Sequence, residues 1–362
     1  MADQSVLNQA AEVLKAVADG QRADLALHDY LGGRRHGSWR ERRGIVAAVL
    51  AYFRWFQWLD RKASAQMQLA EAVDLQARFA ADEDAVKAET LAARAVPAWL
   101  SQEMEVSPEY LRQLQREPAL WIRARPGTRA ALAAELGDCE PTDRAPDALR
   151  YRGANDLFQR KAFKSGAFEI QDLASQIVGA TCAPKPGETW WDACAGEGGK
   201  TLHLADLMGN KGVVWATDRN LRRLETLKKR AARAKLFNFR TKPWEGGAVL
   251  PNKVKFDGVL VDAPCSGVGT WQRNPQARWT TGEGDVRELA AVQATLLGNV
   301  CASVKPGGRL IYSVCTLTRS ETTAVTAAFT AAHPDFAVVS EVLLWPQELN
   351  ANGMFIAIWR RQ

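Results

Sequence analysis

The sequence lacks the features that define several large protein classes. Its six cysteines contain no Cys-x-x-Cys pair, and with only four histidines they offer none of the His/Cys spacings of a zinc site. No metal is expected. Cysteines so scattered suit free thiols in a reducing compartment better than a disulfide framework. No apolar run approaches the roughly 20 residues of a membrane-spanning helix. The opening Met1-Ala2-Asp3-Gln4-Ser5-Val6 has neither the basic nor the apolar region of a secretory leader, so the cytoplasm and no membrane partner are expected. Internal repeats and low-complexity segments are absent.

What is present reads as an ordinary globular chain. Its 362 residues allow two or three domains, with 47% hydrophobic and 24% charged residues. The net charge of +6 permits a polyanionic partner without requiring one. Thirteen tryptophans is a high count, and several sit beside arginine, as in Arg54-Trp55 and Arg278-Trp279. Such pairs can stack on bases, although core packing accounts for most tryptophans.

Residues 1–80 read as all-helical, with apolar runs at helical spacing over Ala10–Ala18, Leu25–Leu31 and Ile45–Phe56. Between them Ser38 and Glu41 form a capping-box pattern. Arg34, Arg35, Arg40, Arg42 and Arg43 cluster there and can hold phosphates or serve as a solvated helix start. Residues 81–165 read as a small α+β connecting piece, with a strand at Trp121–Arg125 and a helix from Thr128 to Leu136.

From residue 166 to 362 helices and strands alternate, which implies a doubly wound parallel sheet. A helix is expected over Phe168–Cys182 and strands over Trp190–Cys194, Gly212–Asp218, Phe239–Lys242, Val259–Asp262 and Gly308–Thr316. After the first of these strands, Cys194-Ala195-Gly196-Glu197-Gly198-Gly199-Lys200 opens a helix and can bring backbone N–H groups to a ligand. About 20 residues on, Asp218 ends a strand where an acid takes ribose hydroxyls. The spacing before Gly199-Lys200 is not that of a P-loop. Asp262 and Cys265 close one buried strand, with Gly267 and Gly269 allowing close approach to a ligand; Cys315 closes the next. Parallel neighbours would bring both thiols together at the sheet's carboxyl edge, where sites gather in open α/β folds.

Those motifs resemble the Sun/Nop-type RNA cytosine-5 methyltransferases, strongly over roughly residues 150–362. The matching stretches are Phe168–Gln176, Asp192–Thr201, Asp262–Thr270, Arg273-Asn274-Pro275, Tyr312–Thr316 and Asn352–Ala357. The helical start resembles an RNA-binding NusB-like module. The resemblance implies a Rossmann-like class I fold, S-adenosyl-L-methionine as cofactor, and RNA as substrate, ribosomal before transfer RNA. A monomer is expected. It implies Cys315 as the nucleophile that adds to cytosine C6, Cys265 in the release step, and Asp262 at the base. Cys194–Lys200, Asp218, Asp262 and Glu245 would hold the cofactor, and Arg273 with the arginine cluster the RNA. The chain departs from the family in having Gly196-Glu197 where Ala-Pro is usual, Gln276 after Pro275, and Val314-Cys315-Thr316 for Thr-Cys-Ser. Glu245 is the substitute for a usual Asp, and Glu321 alone remains of an acidic tail. A non-catalytic RNA-binding assembly factor and an NAD-dependent enzyme are the competing readings.

Overall fold

The computed structural model describes residues 3–33, 37–251 and 253–362, arranged as two compact units. The first comprises Met1–Pro118 and Thr270–Gly282, the second Ala119–Gly269 and Glu283–Gln362.

In the first unit, helices Gln4–Ala18, Ala23–Gly33, Trp39–Arg54 and Ala65–Ala81 bury one apolar face each. Leu7, Ala10, Val13, Leu27, Ile45, Val49, Phe53 and Leu69 form their common core. Ser38 caps the third helix, its hydroxyl accepting the Glu41 N–H at 3.1 Å, as the capping pattern predicts. The Glu41 carboxylate turns to Gln9 instead. Helical structure continues past residue 80 to Pro108–Gln115. Segment 270–282 packs with these helices. Arg278, fully buried, donates to the carbonyls of Trp271, Ala95 and Leu114 and to Gln115, and the Trp279 indole donates to the Phe53 carbonyl at 2.7 Å. Local pattern alone groups this segment with the residues around it, because its partners lie far off in the chain.

The second unit holds two sheets. Strands β1 (Leu120–Ala124), β2 (Cys139–Pro141), β3 (Ala148–Tyr151) and β4 (Phe168–Ile170) form an antiparallel sheet in the order β2-β3-β1-β4. The helix expected over Phe168–Cys182 is therefore shorter. Phe168–Ile170 pair with β1, and Asp172 caps the helix Leu173–Cys182 through the Ala174 N–H. Pairing with a distant strand overrides the local pattern.

Strands β5 (Thr189–Asp192), β6 (Val213–Asp218), β7 (Phe239–Pro243), β8 (Phe256–Asp262), β9 (Val304–Val314), β10 (Phe336–Leu344) and β11 (Met354–Arg361) form a seven-stranded sheet in the order β10-β11-β9-β8-β5-β6-β7. β5 to β9 are parallel, as expected of a doubly wound fold. The sheet as a whole is mixed, because β11 runs antiparallel to both β9 and β10. Near-continuous apolar residues in β8, Val259-Leu260-Val261, are fully buried, as both-face coverage demands. The order changes direction between β5 and β8, which places a crevice at their carboxyl ends.

Candidate active site

β8 and β9 run in parallel register with Asp262 beside Ser313, so the residues that follow each strand emerge together. Pro264 has no N–H to extend the ladder, and the chain turns at Cys265. Gly267 takes a positive φ of 73°. Gly269 has a different task from the expected ligand contact. A Cβ there would lie 2.1 Å from the Gly353 carbonyl oxygen and 3.0 Å from that of Cys315. Its own N–H donates to the Cys315 carbonyl at 3.0 Å. Glycine at 269 thus lets the Cys265 loop lie against the Cys315 backbone.

The outcome is a thiol pair with Sγ–Sγ at 3.3 Å. The hydrogen bond from the Cys265 thiol, assisted by Lys200, holds Cys315 below the usual thiol range, outweighing burial and the nearby Asp262. Cys265 is pushed well above that range, first by giving its proton to that bond, then by burial and by the charges of Cys315 and Glu321. The two sulfurs are therefore unlike: Cys315 gives up its proton more readily than Cys265 does.

Lys200 and Asp262 meet at 2.6 Å, and the Ser313 hydroxyl donates to the other Asp262 oxygen at 2.8 Å. Burial alone would lower the Lys200 ammonium, but the charge and hydrogen bond of Asp262 hold it above its ordinary value. This ammonium lies on the helix Gly199–Leu207, whose first turn is fixed by Thr201 donating to the buried Asp192 at 2.7 Å.

On the other side of the crevice, Asp218 ends β6. Its two oxygens accept the N–H groups of Gly196 and Asn220 at 2.9 and 2.8 Å. Gly196 turns at φ 55°, and the Arg223 guanidinium lies over it. A cavity of about 390 Å³ joins these parts. Cys194, Ala195, Gly196, Gly199, Lys200, Asp218, Glu245, Asp262, Cys265 and Cys315, all expected from sequence, line it. Glu197 and Gly198 do not. Glu197 is exposed and its carbonyl accepts from Arg230, while Gly198 turns toward Leu227. Ser175, Trp244 and Arg223 are cavity residues that sequence reasoning missed. The alternation of basic residues in helix Leu221–Arg233 gave no sign of which arginine faces the crevice.

Arg34 and Arg35 lie outside the described residues. Arg40 and Arg43 are exposed on the helical unit, Arg42 is half-buried, and Arg273 is exposed on segment 270–282. The buried carboxylate of Glu321 stands out in the sequence only as the remnant of a motif. Among the described residues no cluster of three or more His, Cys, Asp or Glu can hold a metal ion. None of the described helices is long and apolar enough to cross a membrane.

A mixed seven-stranded sheet with an acid-ended β6, a glycine turn before a helix and a cavity at the carboxyl ends defines a Rossmann-like methyltransferase fold. The methyl donor of this class is S-adenosyl-L-methionine. The cavity fits such a molecule in size, with a carboxylate at one end and a lysine–aspartate pair beside thiols at the other. The chain belongs to the 16S rRNA methyltransferase RsmB/F family, whose pattern residues 180–360 match. It is 38% identical over 208 residues to a probable ribosomal RNA small subunit methyltransferase B of Bacillus subtilis, covering 57% of this chain and 46% of that one. It is 36% identical over 249 residues to the probable counterpart of a Synechocystis species, covering 66% and 55%. The chain thus spans about half the length of these relatives. In fold it is similar to the crystal structure of PH0851, with a TM-score of 0.84 at 22% identity, covering 100% of this chain and 99% of that one. NSun6 from Pyrococcus horikoshii, solved with SFG, gives a TM-score of 0.64 at 20% identity over 70% of this chain and 93% of that one.

Proposed function

We propose that this protein methylates C5 of a cytosine in ribosomal RNA through a covalent bond between Cys315 and C6. The observation that carries the reading is the thiol pair at the ends of β8 and β9, 3.3 Å apart beside the cavity. S-adenosyl-L-methionine supplies an electrophilic methyl group when bound. Asp218, with oxygens still able to accept hydroxyls, and Glu245 would take its ribose; Cys194, Ala195, Gly196, Gly199 and Lys200 would border the rest.

The chemistry then rests on this chain's own groups. Cytosine C5 is a poor nucleophile. Addition of the Cys315 thiolate to C6 forms a C–S bond and moves the ring electrons so that C5 becomes enamine-like. Lys200 lies near to offset the negative charge that the ring gains. Asp262 accepts from the amino group of the base. After methylation C5 still carries a proton; its removal expels Cys315 and restores the aromatic ring. Cys265 is the base for that step. Its elevated proton affinity comes first from the hydrogen bond to Cys315 and in part from that residue's charge. Both vanish once Cys315 is bonded to carbon, so Cys265 then gives its own proton to solvent more readily; the thiolate left takes the C5 proton while the C6–S bond breaks and Cys315 departs as thiolate. The target base must be unpaired or flipped to reach the cavity.

The division into a helical RNA-binding module over 1–80, NusB-like in character, a connecting piece over 81–165 and a catalytic domain over 166–362 belongs to the same proposal. So does phosphate contact by the arginine cluster and Arg273. The test separates the two thiols. Cys265→Ala should attack, methylate and release slowly, accumulating a protein–RNA adduct that survives denaturing electrophoresis. Cys315→Ala and the double variant should form none. An adduct in Cys315→Ala would reverse the assignment. Cofactor binding without methylation of ribosomal or transfer RNA by the wild type would favour the assembly-factor reading. Bisulfite sequencing of RNA treated with the protein identifies the cytosine.

A further inference from the structure

Glu321 has no exposed surface, and its carboxylate gathers donors from three separate places in the chain. One oxygen accepts the Ser266 N–H at 2.8 Å and the Gln293 amide at 2.9 Å. The other accepts the hydroxyls of Ser266, of Thr316 at 3.1 Å and of Thr318 at 2.8 Å. Ser266 follows Cys265, and Thr316 follows Cys315. The same Gln293 amide also donates to the carbonyl of Pro264, on the other side of Cys265, at 2.9 Å. The Tyr312 hydroxyl closes the network on Gln293 at 2.9 Å and on the Glu321 carbonyl at 2.6 Å.

Five donors on one buried carboxylate leave it fully satisfied, which is what makes burying a charge tolerable. None of its donors comes from the cavity's cofactor-facing residues. Both loops that present sulfur are tied to this one group from beneath.

We infer that Glu321 is a positioning residue, the tie that sets the Cys265 and Cys315 loops at their working separation and keeps their roles unlike. This rests on the covalent reading above. Two loops that end different strands can drift independently, and a misplacement of about 1 Å can cost about 100-fold in rate. A shared carboxylate makes the two loops move as one. Its charge also lies nearer the Cys265 side, where it opposes loss of the Cys265 proton. The other ionisable groups facing the pair are Lys200 and Asp262 toward Cys315 and Tyr312 toward Cys265.

The test is peptide-resolved alkylation of each cysteine by iodoacetamide across pH, read by mass spectrometry on the full chain, beside turnover. Wild-type Cys315 should react at lower pH than Cys265. Glu321→Gln keeps the shape and removes the charge, so alkylation of Cys265 at pH 8 should rise about tenfold. Glu321→Ala removes the tie, and kcat should fall about 100-fold while calorimetric affinity for S-adenosyl-L-methionine holds. Unchanged alkylation profiles in folded Glu321→Gln overturn the inference. If the Glu321 variants do not fold, Thr318→Val removes a single hydroxyl, and its turnover should drop; wild-type turnover there overturns the inference. Alkylation needs no RNA, so an absence of methyl transfer by wild type would sink the proposed function while this readout still judges Glu321.

Discussion

Asp192 shows how far a single buried carboxylate can depart from its solution behaviour. It ends β5 with 1% exposure; one oxygen takes the Thr201 hydroxyl and the other has no hydrogen-bond partner among the described residues. Burial, with Asp262 and Asp218 nearby, pushes it up to about 7, against the lowering pull of Thr201 and Lys200. The unfolded chain ionises this group near its ordinary 3.8, so between that value and about 7 the folded state holds the extra proton. Stability from Asp192 is therefore fully present below about pH 4 and lost as pH rises through about 7. Asp192→Asn has no such dependence. The stability of wild type minus that of Asp192→Asn, from urea titrations at pH 4 to 8, should fall through this window and level off above it. A constant difference would show that Asp192 stays ionised throughout.

At the scale of elements, the turn between β5 and its helix makes two glycines do different things. Gly196→Ala would bring a Cβ to 2.6 Å from the tip of Arg223, a flexible side chain that can swing away. At φ 55° the cost is then that of a left-handed alanine, about 1 kcal/mol. Gly198→Ala meets the Leu227 branch carbon at 2.5 Å, in the packed face between two helices, at φ 85°. Overpacking adds about 1–3 kcal/mol there. Denaturation midpoints should rank wild type, Gly196→Ala, Gly198→Ala in falling order, and equal midpoints for the two variants would contradict this packing argument. The parallel strands, this turn and both thiols were legible in sequence, because apolar runs that end in an acid, proline or glycine state their own boundaries. β4 was not: three residues carry no readable period, and β1 alone makes them a strand. The antiparallel return of β10 and β11 was hidden for the same reason, as pairing direction depends on what lies alongside. The role of Glu321 was hidden too, since its donors lie up to 55 residues away.

For the molecule as a whole, the salt dependence of RNA affinity tests the proposed phosphate contacts of the helical surface. Each phosphate contact removed should reduce the log–log salt slope by roughly 0.9 for a duplex and 0.7 for a single strand. Replacing Arg40, Arg42 and Arg43 together should flatten the slope measured by filter binding, with kcat on saturating RNA unchanged. A slope that stays as steep would mark these residues as a solvated face. The first unit carries a separate expectation. Arg278→Ala leaves three carbonyls without a partner and a large void, and should lower the cooperativity and midpoint of that unit's unfolding, by about 3 kcal/mol or more. Hydrogen exchange on helices Trp39–Arg54 and Pro108–Gln115 would register it.

Segment 270–282 also sets a schedule. The ribosome delivers residues 1–118 long before the segment on which Arg278 and Trp279 sit. At about 5–20 residues per second, the helices wait roughly 10 to 30 s for the segment that packs against them. During that interval the apolar surface that Trp279 covers should stand open, in reach of holding chaperones. A nascent chain arrested before residue 270 should cross-link to such chaperones more strongly than one arrested well beyond residue 282.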